Sequence, residues 1–276
     1  MNPFFLRKHF SVLLLILCLL LSASIALLSC GPVLGAQSGA DEAAVREAVR
    51  RELREHPELV LDILKENSET VLEIAQQGNM LRRRKSLLAQ WEQDVKQRKI
   101  VKLDDRSFRG KADAPITMVV YSDFTCPYCR QAEYDVSRLL QKYDGKLRVT
   151  FKALPKDDPV SVTAAKFATA AFLLDPVKGW EFHDALFNGS EQYEREGEEF
   201  IKKTAESLGY DFKKLKSEAN APAVQQRLDF DSKEADNLGI SGTPHFLIND
   251  LMVRGAVGRE LFEEAVETAL RHVGKQ

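Results

Sequence analysis

The stretch that most restricts this chain is Phe124-Thr125-Cys126-Pro127-Tyr128-Cys129. An apolar, β-branched run, Ile116-Thr117-Met118-Val119-Val120-Tyr121, leads into it. Ala132, Val136, Leu139 and Leu140 follow at helical spacing. The order predicts a strand that hands over to a helix, with the cysteines at the handover. Backbone N–H groups in the first turn of a helix lack partners and carry partial positive charge. A thiolate at Cys126 sits in that field, which should lower its pKa and favour the attacking species of disulfide exchange. Cys129, one turn further in, can then resolve the mixed disulfide, so Cys126 is expected to be the exposed, acidic thiol and Cys129 the buried one. Pro127 suits the first turn, where its missing N–H removes no bond.

Two other uses of such a pair are a zinc half-site and a structural disulfide. Zinc takes about four ligands, yet the chain has no second cysteine pair, and His183, His245 and His272 show no ligand spacing. No metal is expected. A disulfide across so short a loop constrains the unfolded chain very little. The spacing therefore reads as a redox dithiol that needs no cofactor beyond its own Cys126–Cys129 disulfide.

The chain has 276 residues, room for one large domain or two modest ones, and a formal net charge of −2. Near-neutral charge without an aromatic-rich basic stripe argues against a nucleic-acid binder. Of its 4 cysteines, Cys18 and Cys30 lie in or at the end of an N-terminal apolar run. That run, Phe10 to Leu28, follows Arg7-Lys8-His9, which is the layout of a secretory signal. Its length approaches the roughly 20 residues that span a bilayer, so an uncleaved anchor is an alternative. Leu27-Leu28-Ser29-Cys30 resembles a bacterial lipobox, with Cys30 the lipid-bearing residue; cleavage near Gly35-Ala36 is the other route. Residues 1–30 are thus assigned to a signal sequence or lipobox and 31–40 to a tether. Export is expected, with membrane contact only through the signal or lipid.

From Asp41 to about Lys99 glycine nearly vanishes and charge alternates with Leu and Val. Val45, Val49 and Leu53 recur four apart, with Glu42/Arg46 and Glu47/Arg51 at helix-stabilising spacing. His56-Pro57 breaks the pattern, since the residue before proline is pushed out of the α region. A second short helix carries Leu59, Val60, Ile63 and Leu64, and Asn67 or Ser68 caps a third. In the third, Ile74, Leu81, Leu88 and Val95 fall one heptad apart, a coiled-coil seam broken by polar Gln77 and Arg84. Gly78-Asn79 reads as a hinge. Residues 41–99 are too thin and charged to bury a core alone, so a helical stalk that self-associates is expected, with a solvated spacer as the alternative. The run Arg82-Arg83-Arg84-Lys85 reads as a solvated helix face.

A second domain, 100–276, opens with the turn-rich Gly110–Pro115. Strand Ile116–Ser122, a helix from Cys126 to Tyr143 and strand Leu147–Ala153 form a strand–helix–strand unit, which implies a parallel pair. A long stretch, about 157–238, lacks strand alternation and reads as helices. His183 within it is expected to pack or face solvent rather than act as a base. Strands His245–Ile248 and Leu251–Arg254 and a helix from Arg259 to His272 close the chain.

These pieces resemble the thioredoxin superfamily, and most of all its exported DsbA-like oxidoreductases. The likeness rests on Tyr121-Ser122-Asp123-Phe124-Thr125-Cys126-Pro127-Tyr128-Cys129 and on Gly239-Ile240-Ser241-Gly242-Thr243-Pro244. It implies an α/β, thioredoxin-like fold with a large helical insertion, preceded here by the all-α stalk. It also implies catalytic Cys126 and Cys129, with Pro127, Tyr128, Thr243 and Pro244 supporting the site and binding substrate. Pro244 would have a cis peptide bond against the dithiol, its neighbour's backbone pairing with the incoming peptide. Glu133 falls where many relatives carry an acidic residue; a solvent-facing role is the other reading. The helices around Glu55-His56-Pro57-Glu58 resemble the N-terminal region of ScsC-type proteins, DsbA-like proteins that oligomerise through such a stalk.

The implied function is disulfide formation or exchange in exported polypeptides, with an unidentified redox partner resetting the dithiol. Alternatives are an oligomeric disulfide isomerase, a peptide-binding holdase whose cysteines matter little, and an enzyme using glutathione on small molecules. Stabilising the reduced form makes an oxidant. Thr243, whose hydroxyl could contact the Cys126 sulfur, and an oligomer holding several dithiols around one client favour isomerisation.

Overall fold

The computed structural model of the chain describes residues 38–103 and 106–273. The N-terminal apolar run, Cys30 and the expected tether up to residue 37 lie outside the described residues. The chain divides into two compact units, at Gln76/Gln77.

The described part of the first unit is helical. Helix α1 (Ser38–Glu55) ends where sequence predicts, before His56-Pro57, and α2 (Glu58–Glu66) follows. Glu42 and Arg46 pair at 2.7 Å across one turn of α1. No residue of α2 is buried, and Leu59, Val60, Ile63 and Leu64 are all exposed. Helix α3 (Ser68–Asp94) begins here and continues into the second unit. It runs unbroken through Gly78-Asn79, so the expected hinge is continuous helix.

The expected boundary near Ile100 is displaced. Residues 77–99 belong to the second unit, for a packing reason. Leu87 and Trp91 are buried in the core beside the sheet, with Leu88 and Val95 against them. The Trp91 indole N–H donates to the Met252 carbonyl at 3.0 Å. Asp94 accepts from the Met252 N–H at 3.0 Å and pairs with Lys99 at 3.0 Å. Arg84 pairs with Glu264 at 2.8 Å, so part of the basic run is committed to intramolecular contacts. The predicted heptad seam therefore splits: Leu88 and Val95 serve this core, while Ile74 and Leu81 are exposed.

In the second unit β1 (Ile116–Ser122), α4 (Pro127–Lys142) and β2 (Leu147–Ala153) form the predicted strand–helix–strand. Strands β3 (His245–Ile248) and β4 (Leu251–Arg254) complete a four-stranded sheet in the order β2-β1-β3-β4. The β1/β2 pair is parallel, while β1/β3 and β3/β4 are antiparallel. Alternation sorts the faces. Met118, Val120, Val149, Phe246 and Ile248 pack with α4 and α11 (Arg259–Val273). Val119, Tyr121 and Leu247 pack on the other side with Ala235 and Ile240.

Between β2 and β3 the chain is helical: α5 (Pro159–Leu174), α6 (Pro176–Asn188), α7 (Ser190–Glu196), α8 (Glu198–Ser207), α9 (Phe212–Ala219) and α10 (Pro222–Asn237). Aspartates at residues 158, 175 and 211 cap α5, α6 and α9, accepting first-turn N–H bonds. Helix α7 falls inside the stretch read as helical, although its polar sequence Ser190–Glu196 carries no apolar periodicity. Ala164, Ala165, Ala168 and Ala171 are buried and let neighbouring helices approach α5 closely.

Candidate active site

Cys126 is the N-cap of α4 and Pro127 its first residue, so the dithiol occupies the handover read from sequence. The approach is fixed by Asp123, which is buried. Its Oδ1 accepts the Thr125 N–H at 2.8 Å and the Thr125 hydroxyl at 2.9 Å. Its Oδ2 accepts the Lys156 N–H at 3.1 Å, tying the loop after β1 to the loop after β2. The Cys126 carbonyl accepts the N–H groups of Cys129 and Arg130 at 3.0 and 3.1 Å, which starts the helix. Arg130 reaches Ser190 at 2.8 Å and Glu191 at 2.9 Å, joining α4 to α7.

The two sulfurs are unbridged and differ less in exposure than expected. Cys129 is 1% exposed and Cys126 only 6%. The expectation of an exposed Cys126 is corrected here: its thiol faces the Thr243 carbonyl at 3.7 Å, which closes over it. The Thr243–Pro244 peptide bond is cis. Burial pushes the Cys129 thiol up to about 12, against the Ser122 and Thr243 side chains and the Asp123 backbone, which favour its thiolate. The Thr243 side chain thus acts on Cys129, whereas sequence suggested Cys126. Tyr128 is 65% exposed at the rim.

Glu133 is not a solvent-facing residue. Its carboxyl is largely covered, and burial raises its pKa, with His183 and Arg109 opposing. His183 packs, as expected, among Phe124, Phe151 and Phe187 at ring distances of 5.6, 4.7 and 4.9 Å. It also faces Glu133 Oε1 at 3.6 Å, a pairing that the sequence separation hid.

Sequence reasoning also missed a buried ion cluster. Lys152 of β2 is fully buried and pairs with Glu234 and, at 3.5 Å, with Asp231, both on α10. Arg106 grips Asp231 through two bonds of 2.5 and 2.9 Å. The Tyr121 hydroxyl and the Lys102 N–H donate to Glu234 at 2.7 and 2.8 Å. Lys152 and Tyr121 are register partners, so the cluster lies on the Tyr121 face of the sheet. His245, next to Pro244 in sequence, pairs in register with Tyr121. Burial and Arg254 push its pKa down to about 4.

A family model described as Thioredoxin matches residues 102–268. Among curated proteins, the Na(+)/H(+) antiporter NhaA 3 of Salinispora tropica is 34% identical over 163 residues, 58% of this chain and 24% of the antiporter. The chain thus spans about a quarter of the length of that relative. Disulfide bond formation protein D of Bacillus subtilis is 26% identical over 172 residues, 59% of this chain and 76% of that protein. Among solved structures, a thioredoxin-like oxidoreductase from Silicibacter pomeroyi is 28% identical with a TM-score of 0.53, covering 61% of this chain and 94% of its own. Proteus mirabilis ScsC, 21% identical with a TM-score of 0.52, covers 87% of this chain and 99% of its own, a likeness of fold. With more than half of its length matched, the chain belongs to the thioredoxin family.

Proposed function

We propose that this chain is an exported protein thiol–disulfide oxidoreductase acting through Cys126 and Cys129. The observation that carries the reading is the placing of the pair. Cys126 caps a helix beneath the Thr243–Pro244 loop, and Cys129 is held beneath it as a buried thiol. The kinship with a disulfide bond formation protein supports it. In the exchange, the Cys126 thiolate attacks a client disulfide and expels one client thiolate. Cys129 then attacks the Cys126 sulfur and expels the other, so the client is reduced and the dithiol oxidised. The reverse sequence donates a disulfide to the client. The exposed Ser241 and Gly242, the half-buried Thr243 and the exposed Tyr128 supply the surface for an extended peptide.

A Cys129→Ser variant tests this. It should accumulate mixed disulfides with oxidised or scrambled multi-disulfide proteins, while Cys126→Ser should form none. Equal client binding by both variants with no covalent adduct would leave a holdase as the better reading.

Export rests on the basic start and apolar run of residues 1–30, and lipid attachment on Cys30; labelling with a radioactive fatty acid in wild type and Cys30→Ser separates the routes. Among the described residues no helix is long and apolar enough to cross a membrane. Self-association through the N-terminal helices is supported by the row of exposed Val45, Val49, Leu59, Ile63, Leu72 and Ile74. Such an assembly favours the isomerase direction, and the catalytic unit alone the oxidase direction.

A further inference from the structure

Strand β2 is an outer strand of the sheet, and its free edge is only partly covered. Along β2 the even-numbered positions bond to β1: the Lys146 carbonyl accepts the Ile116 N–H at 3.0 Å, and the Leu154 N–H donates to the Ser122 carbonyl at 2.8 Å. The odd-numbered residues therefore turn their N–H and C=O outward. Val149 uses both, exchanging bonds of 2.9 and 2.8 Å with Arg109. There the ladder stops. The Ser107 carbonyl accepts the Thr150 hydroxyl instead, and Arg106 turns away to Asp231 on α10. Among the described residues nothing hydrogen-bonds to the outward N–H and C=O of Phe151 or Ala153, although both residues are buried.

Phe151 and Ala153 line a cavity of about 310 Å³, together with Arg106, Arg227 of α10, and Thr169 and Phe172 of α5. That volume lies at the low end of the range for ligand sites, about 300–1,000 Å³. Thr169 is only 7% exposed, and its hydroxyl joins no hydrogen bond among the described residues. Buried polar groups ordinarily have partners, so the gathering of these edge groups and this hydroxyl on one cavity calls for a ligand that supplies them. Its chemistry follows from the lining. Edge groups that repeat every second residue, about 7 Å apart, are complemented by an extended backbone. Two ladder positions, Phe151 and Ala153, admit a chain end rather than a passing strand. The lining holds two guanidinium groups and, among the described residues, no carboxylate. Guanidinium groups only donate, and a carboxylate only accepts, so the matching end is the carboxy-terminal one.

We propose that the outer edge of β2 at Phe151 and Ala153 is a second peptide-binding site, which takes the carboxy-terminal end of an extended polypeptide as an added strand. The carboxylate meets Arg106 and Arg227, the Thr169 hydroxyl donates to the same chain end, and one apolar side chain packs on Phe172. Arg106 is held in place for this by its two bonds to Asp231. Neither cysteine lines the site, so binding there does not depend on the dithiol. The two places are nonetheless close in the core: the Phe151 ring packs on Phe124, two residues before Cys126, with centres 5.1 Å apart. A polypeptide held by its tail at β2 keeps the rest of its length near Cys126, which raises the effective concentration of its sulfurs there.

Calorimetric titration of the full chain with N-acetyl-alanyl-valyl-alanine, and amide hydrogen exchange followed by NMR, test the assignment. One equivalent of the free acid should bind. The same peptide ending in a carboxamide, or N-methylated along its backbone, should bind about tenfold or more weakly. Saturation should slow exchange at the Phe151 and Ala153 amides by about tenfold or more, and leave Thr150 and Lys152, already bonded to β1, as they were. Thr169→Val keeps the side-chain shape and should weaken binding several-fold. Arg227→Gln, at a half-buried position, should narrow the gap between acid and carboxamide, and it decides the matter if Thr169→Val does not fold. No binding at millimolar peptide, the result for a cavity that takes up water alone, would overturn the proposal. Equal affinity for the acid, carboxamide and N-methylated peptides would do the same. Protection that appears at Tyr128 and Thr243 instead of Phe151 and Ala153 would place the peptide at the dithiol and reject the second site, while leaving the oxidoreductase reading intact.

Discussion

Replacing Lys152 by methionine isolates the contribution of the buried ion cluster. Methionine keeps most of the volume and removes the charge. Asp231 retains its two bonds from Arg106, and Glu234 retains the Tyr121 hydroxyl and the Lys102 N–H. What Glu234 loses is its cation, in a place where Lys152 is fully buried and Glu234 nearly so. Breaking a buried pair by removing one partner costs about 3–5 kcal/mol, a large share of the roughly 5–15 kcal/mol that holds a typical domain folded. At about 2–4 °C per kcal/mol for a unit of this size, the melting temperature should fall by roughly 10 °C. The sign with pH follows from the lone carboxylate. Its penalty applies while it is ionised and fades as acid protonates it, so the deficit should be larger at pH 8 than at pH 5. Adding Glu234→Gln to Lys152→Met should recover much of the loss, because neither charge is then stranded. Denaturant unfolding of the two single variants and the double variant at both pH values measures all three effects. A Lys152→Met chain within about 1 kcal/mol of wild type, or a deficit that does not change with pH, would refute the reasoning.

Three further outcomes are expected. Cys129, pushed up to about 12 by burial, should resist alkylation in the native Cys126→Ser variant until the solution is strongly alkaline; rapid labelling at pH 8 would contradict the burial argument. His245 is held neutral, with its pKa depressed to about 4 against about 6.5 unfolded. Its contribution is therefore complete above pH 6.5 and lost as pH falls toward 4, at most about 3 kcal/mol that a His245→Thr variant should not lose; equal acid sensitivity of the two chains counts against it. Removing residues 41–76 should leave a folded catalytic unit of lower mass by light scattering, whereas a cut at residue 99 also removes Trp91 from the core and should cost about 3–5 kcal/mol; equal, monomeric masses with and without 41–76 would reject self-association.

Local signals and long-range ones divide what the sequence disclosed. Ile116–Ser122, Leu147–Ala153, His245–Ile248 and Leu251–Arg254 were legible as strands because each is an apolar or β-branched run ended by turn chemistry. The dithiol was legible because its logic is local: a strand end, a proline at the first helical position, and two cysteines one turn apart. Where the meaning of a residue depends on a partner far along the chain, the reading failed. Lys152 looks like a solvated charge in Phe151-Lys152-Ala153 until Glu234, 82 residues later, is seen beside it. Trp91 looks like one bulky residue on a charged helix until the Met252 carbonyl, 161 residues away, accepts its indole N–H. The heptad in α3 misled for a related reason: a spacing of seven says which residues share a helix face but not what covers that face. Leu88 and Val95 are covered by this chain's own sheet core, which ties residues 77–99 to the catalytic unit and leaves the apolar side chains N-terminal to Gln77 for another surface. The same limit applied at the site. The C-x-x-C spacing located Cys126 and Cys129, but Thr243, whose side chain favours the Cys129 thiolate against burial, comes from the far end of the chain and only folding brings it there.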